Sequence, residues 1–157
     1  MKITADLSRG ALLINENIFP ITCNVRTLKR GTRRSYEVVR SIPDNLPYDP
    51  QPFPRGLWDV TGIEWQAQKR FDPHTYGPVK IRTNAWRTVK VWELDGDKDY
   101  LRETARQVTD EAYLLHYSTS STTLGCIRLA SPMDAEAIAN IIQGILDKGE
   151  EVKLEVI

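Results

Sequence analysis

This 157-residue chain has little that suits metal or disulfide chemistry: two cysteines far apart in sequence, Cys23 and Cys126, and two histidines, His74 and His116. That is too few for a disulfide framework or a zinc site, so no metal centre is expected. Long apolar runs are also missing. The longest aliphatic stretch, Ala11 to Ile14, is too short for a membrane-spanning helix or the apolar part of a secretory signal, so the chain is expected to carry no export signal of its own. No charge of one sign is in excess, with 21 Lys+Arg against 21 Asp+Glu, which argues against a broad electrostatic grip on nucleic acid. Charge-driven recognition must then be local. A Gly-rich phosphate loop and a ligand cluster are both lacking, so no cofactor is expected.

What is present fits a single domain over residues 1–157, able to bury roughly 70% of its unfolded surface. Residues 2–6, 11–14, 17–25 and 35–42 are short apolar stretches separated by Ser8-Arg9-Gly10 and Lys29-Arg30-Gly31-Thr32, which predicts an antiparallel β-meander with tight turns. Five prolines between Pro43 and Gly56 block regular pairing and predict a stiff loop. Beyond it, Leu57–Trp65, Val79–Ile81 and Arg87–Leu94 alternate β-branched and aromatic residues and read as further strands. Lys98 to Val108 follows a turn at Asp95–Asp97 and is read as a short charged helix with a thin apolar face of Leu101, Ala105 and Val108. Ala112–His116 and Cys126–Leu129 read as strands on either side of a hydroxyl-rich loop.

The clearest helix is Pro132 to Lys148, with Ser131 as its cap, proline at the first helical position and Asp134 in the first turn. Its core-facing stripe is expected to be Met133, Ala137, Ile138, Ile141, Ile142 and Ile145, with Gly149 as terminator and Val152–Val156 as a last strand. The fold class is therefore mostly β within α+β: a sheet with one helix of the C-terminal half packed on it.

Chemistry concentrates between Tyr113 and Leu129, YLLHYSTSSTTLGCIRL, where a histidine ends one strand and a cysteine begins the next, ten positions later. A thiol is mostly protonated at neutral pH, so a nucleophilic cysteine needs a base or a positive environment, roles open to His116 and Arg128. Gly125 lets the backbone approach a substrate carbonyl, and the amides around Cys126 are candidate oxyanion donors. Ser118 and Thr123 are further candidates for oxyanion or substrate binding. By period-two alternation Arg128 shares a face with Cys126, either to hold a substrate carboxylate or to orient the loop as a structural ion pair. Against each stands a plainer role, since a single strand cysteine is usually a small buried hydrophobe and a single histidine is usually structural.

Taken together, His at a strand end, a Ser/Thr-rich loop and Thr-x-Gly-Cys-Ile-Arg-Leu resemble the signature of the L,D-transpeptidase catalytic domain of the YkuD type. Pro54-Arg55-Gly56 is similar to the family's Pro-x-Gly element and Tyr76-Gly77-Pro78-Val79-Lys80-Ile81 to its Gly-Pro strand, so the resemblance extends over nearly the whole chain. It implies a β-sandwich or barrel and a Cys126 nucleophile that attacks a peptidoglycan stem peptide at a diamino acid followed by D-alanine, with His116 as base and no cofactor. The departures are Tyr117 where the family often has glycine after the histidine, Thr123-Leu124 where it often has Ser-His or Ser-x, and a short loop. In these the chain resembles compact secreted antibacterial toxins, which implies a secretion-machine or immunity partner. Site of action is then the periplasm or cell wall, reached by specialised secretion, lysis or a leader since removed.

The alternative is a non-catalytic module on the same fold that binds the wall or a partner protein. His74 in FDPHTYGP is expected to be a solvated loop residue, the four tryptophans to fill core or sheet surface, and the basic group Lys29, Arg30, Arg33 and Arg34 to be a solvated turn.

Overall fold

In the computed structural model, described here for residues 1–26, 48–95 and 99–157, the N-terminal alternation resolves into three antiparallel strands, β1 (Lys2–Asp6), β2 (Ala11–Ile14) and β3 (Asn17–Thr22). The basic group 29–34, the strand expected at 35–42 and the turn at 96–98 lie outside the described residues. After an irregular stretch from Tyr48 to Arg55 come β4 (Gly56–Trp65), two single-turn helices α1 (Gln66–Lys69) and α2 (Pro73–Tyr76), and β5 (Val79–Thr83). Next are β6 (Arg87–Asp95), β7 (Asp99–Asp110), β8 (Leu114–Tyr117), β9 (Ile127–Leu129), α3 (Pro132–Leu146) and β10 (Lys153–Val156).

Eight strands close into a barrel in the order β1-β10-β4-β5-β8-β9-β3-β2, so the first and last strands lie side by side and parallel. The mostly β expectation with one main C-terminal helix holds. Val79 and Ile81 of β5, Leu115 of β8, and Ile127 and Leu129 of β9 are all buried in one core cluster with Ile138 and Ile142 of α3. Removing this much aliphatic surface from water is the main stabilising term, roughly 1.5–3 kcal/mol for each large side chain.

The helix begins as its sequence dictates, with Ser131 Oγ accepting from the Asp134 N–H at 3.0 Å and Pro132 in the first turn. Four of the six expected stripe residues face the core, Ile138 and Ile142 buried and Ile141 and Ile145 packed against the cluster, while Met133 and Ala137 give way to Ala135 and Ala139. Ala135, Ile138, Ala139 and Ile142 are the buried positions, whereas Met133 is 79% exposed and Ala137 faces solvent. The i, i+3, i+4, i+7 pattern starting at Ala135 is narrower than the apolar run, and the small Ala135 and Ala139 let the helix approach the sheet closely.

The charged helix expected at 98–108 does not form; Asp99–Asp110 is the long strand β7, paired antiparallel with β6 in a separate two-stranded sheet. Tertiary pairing overrides the weak local propensity, because Val108 stands opposite Val89 and both are buried with Val91 and Tyr48 in a second small cluster. Tyr48 itself bridges to Val91.

Candidate active site

The sheet places the chemistry-bearing residues by parity. On β8 and β9, Leu115, Ile127 and Leu129 face the core, so His116, Arg128 and, just before β9, Cys126 face the other way. The two strands run parallel with His116 opposite Arg128, and Lys80 of β5 stands opposite His116 on its other side. Lys80, His116 and Arg128 therefore form one cross-strand row, and Cys126 lies two residues before Arg128 on the same face. This row was only half readable in the sequence: alternation gave Arg128 the face of Cys126, but Lys80 joins it only once β5 is known to flank β8.

His116 is 4% exposed, covered by α2. Its Nδ1 lies 2.9 Å from the Tyr117 carbonyl, and its ring centre lies 5.1 Å from that of Tyr76. A carbonyl only accepts, so this contact favours the hydrogen on Nδ1 in the neutral ring; the Thr75 carbonyl also faces the imidazole and, like that of Tyr117, raises its pKa. Burial pushes the imidazole pKa down, more strongly than the Tyr117 carbonyl raises it, and Lys80 pushes the same way. Lys80 Nζ sits over the rings of Phe71 at 4.4 Å and Tyr76 at 3.9 Å, and burial lowers its pKa.

The Cys126 thiol is half-buried and bound to backbone: Sγ accepts from the Leu114 N–H at 3.3 Å and donates to the Ala112 carbonyl at 3.5 Å. Among the described residues no hydrogen bond joins it to the imidazole. Burial raises its pKa to about 12, the Leu114 N–H opposing this and the buried Asp110 adding to it. Asp110 Oδ1 also accepts from the Ala112 N–H at 3.3 Å, so it shapes the turn that holds the sulfur. The resting pair is thus a neutral thiol and a neutral imidazole.

Thr123, Gly125 and Arg128 are engaged within the protein. Thr123 Oγ1 donates to the Cys126 carbonyl at 2.8 Å and accepts from the Gly125 N–H at 3.2 Å, which closes the turn before the cysteine. Gly125 has φ +124°, and a Cβ there would lie 2.3 Å from the Gln51 carbonyl oxygen and 2.8 Å from the Tyr113 ring. Glycine is required at this position by the protein's own packing, and its N–H is already taken by Thr123. Arg128 Nε donates to the Ser118 carbonyl at 2.9 Å, which orients the loop after β8. Ser118 is buried, and its Oγ accepts from the Ser120 N–H at 3.1 Å.

His116, Ser118 and Thr123 come together with Thr75 and Tyr76 around a cavity of about 300 Å³; Cys126, Gly125 and Arg128 are not in its lining. His74 is exposed at the surface of α2, and its carbonyl accepts from the N–H and hydroxyl of Thr119. Sequence reasoning missed Lys80, Asp110, Tyr113 and Gln51. Lys80 and Tyr113 lie within stretches already noted but without a role of their own there; all four are brought in by strand pairing or close packing.

Residues 29–154 match the model of the L,D-transpeptidase catalytic domain, YkuD. Among solved structures, that of Bd1075 from Bdellovibrio bacteriovorus aligns with a TM-score of 0.44 and 16% identity, over 99% of this chain and 46% of that one. No curated protein matches the chain. The family match covers most of the sequence and includes the β8–β9 pair with its intervening loop, so the chain belongs to the L,D-transpeptidase catalytic domain family of the YkuD type.

Proposed function

We propose that the protein is a cysteine acyltransferase acting on peptidoglycan stem peptides, with Cys126 as nucleophile and His116 as its base. The single observation that carries this reading is the placement of both side chains on the non-core face of neighbouring parallel strands, two register positions apart.

Attack begins from the neutral pair. Because burial disfavours both the thiolate and the imidazolium, the thiol proton moves to His116 as the Sγ–carbon bond forms, rather than in a prior ionisation. The tetrahedral oxyanion collapses, the carbon–nitrogen bond to the terminal D-amino acid breaks, and the imidazolium returns its proton to the leaving amine. A thioester on Cys126 remains. An amine from a second stem makes the enzyme a transpeptidase, a free D-amino acid an exchanger, and water a carboxypeptidase. Lys80 contributes a positive charge that favours the thiolate as it develops. Thr123 and Arg128 act as positioning residues that hold the turn and the loop.

Incubation with a carbapenem or a tetrapeptide stem, followed by mass spectrometry of the intact protein, tests this directly. One acyl adduct on Cys126, absent from a Cys126→Ala variant, is expected. An unmodified, folded protein would refute the reading.

The second reading, a non-catalytic wall- or partner-binding module, draws on one feature: the thiol's hydrogen bonds run to Leu114 and Ala112 rather than to His116. It requires that Cys126→Ala leave affinity for wall fragments and any biological effect intact. Action in the periplasm, delivery by a secretion machine and neutralisation by an immunity partner belong to the enzymatic reading. They are tested by directing the protein to the periplasm of a susceptible bacterium, where growth arrest is expected.

A further inference from the structure

A second concavity, about 790 Å³, reaches the Gly125 turn from residues that do not line the His116 cavity. Two of its lining residues touch Gly125: Cys23 Sγ donates to the Gly125 carbonyl at 3.5 Å, and the Gln51 carbonyl fills the space a Gly125 Cβ would need.

The charge of this cleft is one-sided. Arg9 from the β1–β2 turn, Arg55 from the segment before β4 and Arg87 at the start of β6 all line it, and among the described residues no acid does, in a chain with no net charge. The three arginines are unequally engaged. Arg87 Nη1 donates to the Pro52 carbonyl at 2.6 Å, which fixes its guanidinium. Arg9 stands 3.6 Å from Asp6 with 84% of its side chain exposed, and that carboxylate already accepts from Ser8 Oγ and the Arg9 N–H. Arg55 is exposed and makes no hydrogen bond or ion pair among the described residues. Backbone geometry holds the wall firm: Gly10 has φ +65°, and Ile21 donates its N–H to the Gly10 carbonyl at 2.9 Å, pinning the turn that carries Arg9 to β3. Between the arginines the lining is mixed, with the hydroxyls and amides of Ser8, Thr22, Asn24 and Gln51 beside the apolar Leu7 and Pro52.

We propose that this cleft binds an acidic peptide segment, its carboxylates held by Arg9, Arg55 and Arg87. Guanidinium forks match carboxylates in paired hydrogen bonds, and a cleft that spaces three of them among hydroxyl, amide and apolar groups suits a peptide better than a bare phosphate. That the peptide is a second wall stem rests on the function proposed above; that it is an acidic peptide rests on the cleft alone.

The test uses the full chain carrying Cys126→Ala, so that binding is read without acylation and a failure here is separate from a failure of the chemistry. Triglutamate is titrated while backbone amide resonances are followed. Shifts at Ser8, Asn24 and Gln51 are expected, with affinity falling as salt is raised and at least roughly tenfold weaker in R9E/R55E, both exposed positions. R9Q/R55Q gives the same order should charge reversal disturb the fold. Absence of shifts, unchanged affinity in both variants, equal binding of triglutamine, or binding of pyrophosphate but not triglutamate would each overturn the assignment.

Discussion

The two cysteines sit in nearly the same surroundings. Each sulfur accepts a backbone N–H at 3.3 Å, from Leu114 for Cys126 and from Phe53 for Cys23, and each donates to a carbonyl at 3.5 Å. Both are half-buried, and burial raises the pKa of both. Neither is an exposed, low-pKa thiolate of the kind that reacts unaided. What separates them is the sheet. Cys126 shares its face with Lys80 and His116, while the positive group acting on Cys23 is Arg87, which cannot accept a proton. On the proposed reading, the nucleophile is set apart by a neighbouring base fixed through strand register, not by the thiol's own burial or hydrogen bonds.

The sharpest way to break this contrast is to remove one sulfur at a time. Cys126→Ala is expected to abolish acylation by a carbapenem, a loss on the order of a thousandfold or more in rate, whereas Cys23→Ala keeps the adduct. An adduct that follows Cys23 would reverse the assignment.

Next comes the proposed base. His116→Gln is expected to slow acylation by roughly a hundredfold to ten-thousandfold. In the unaltered protein His116 must be neutral to accept the thiol proton, and its pKa is depressed below 6.5. The rate should therefore fall on acidification only below the ordinary histidine range, and a stopped-flow pH series reads this directly. A depressed histidine also binds fewer protons folded than unfolded, so its contribution to stability is lost as pH drops below 6.5. Melting temperature should decline over that window, and decline less in His116→Gln. A profile centred above 6.5 would mean a preformed ion pair and contradict the neutral resting state.

Gly125 touches both cysteine neighbourhoods, since its carbonyl holds Cys23 and its chain continues into Cys126. Gly125→Ala forces a left-handed φ on a residue with a Cβ and drives that atom into the Gln51 carbonyl, so a loss of about 3 kcal/mol in denaturant unfolding is expected. Thr123→Val removes two hydrogen bonds from the same turn and should cost about 1–3 kcal/mol. Were the Gly125 N–H meant for substrate, Thr123→Val would instead accelerate acylation.

Most strands were legible because alternation and turn residues agree locally: β1 and β2 match their expected bounds, as does the cap of α3. β7 was not, since what makes it a strand is pairing with β6, and no local pattern reveals that pairing. The site divides the same way. Of the proposed site, His116, Cys126 and Arg128 were singled out from one short motif, whereas Lys80 arrives through pairing of β5 with β8, and Gln51 and Tyr113 through contact with a glycine. Gly125 was read as letting the backbone approach a substrate carbonyl; its close neighbours add a packing reason for glycine that no local pattern carries.

Tyr113 yields the smallest expected effect and the finest distinction. Its ring abuts Gly125 and meets Phe53 edge-on at 5.4 Å, and Phe53 is the residue whose N–H binds Cys23. Its hydroxyl is buried without a hydrogen-bond partner among the described residues, and burial raises its pKa far beyond any working pH, so the group stays a neutral donor. An unpartnered buried hydroxyl opposes folding, so Tyr113→Phe should leave stability unchanged or raise it by up to about 1 kcal/mol. The aromatic packing that both cysteine environments share is kept. If acylation of Cys126 is unchanged as well, the ring serves only to wedge the turn. A slower acylation with undiminished stability would instead mean that the hydroxyl meets the substrate on the Cys126 side of Gly125, a chemical difference between the two cysteine neighbourhoods beyond the base itself.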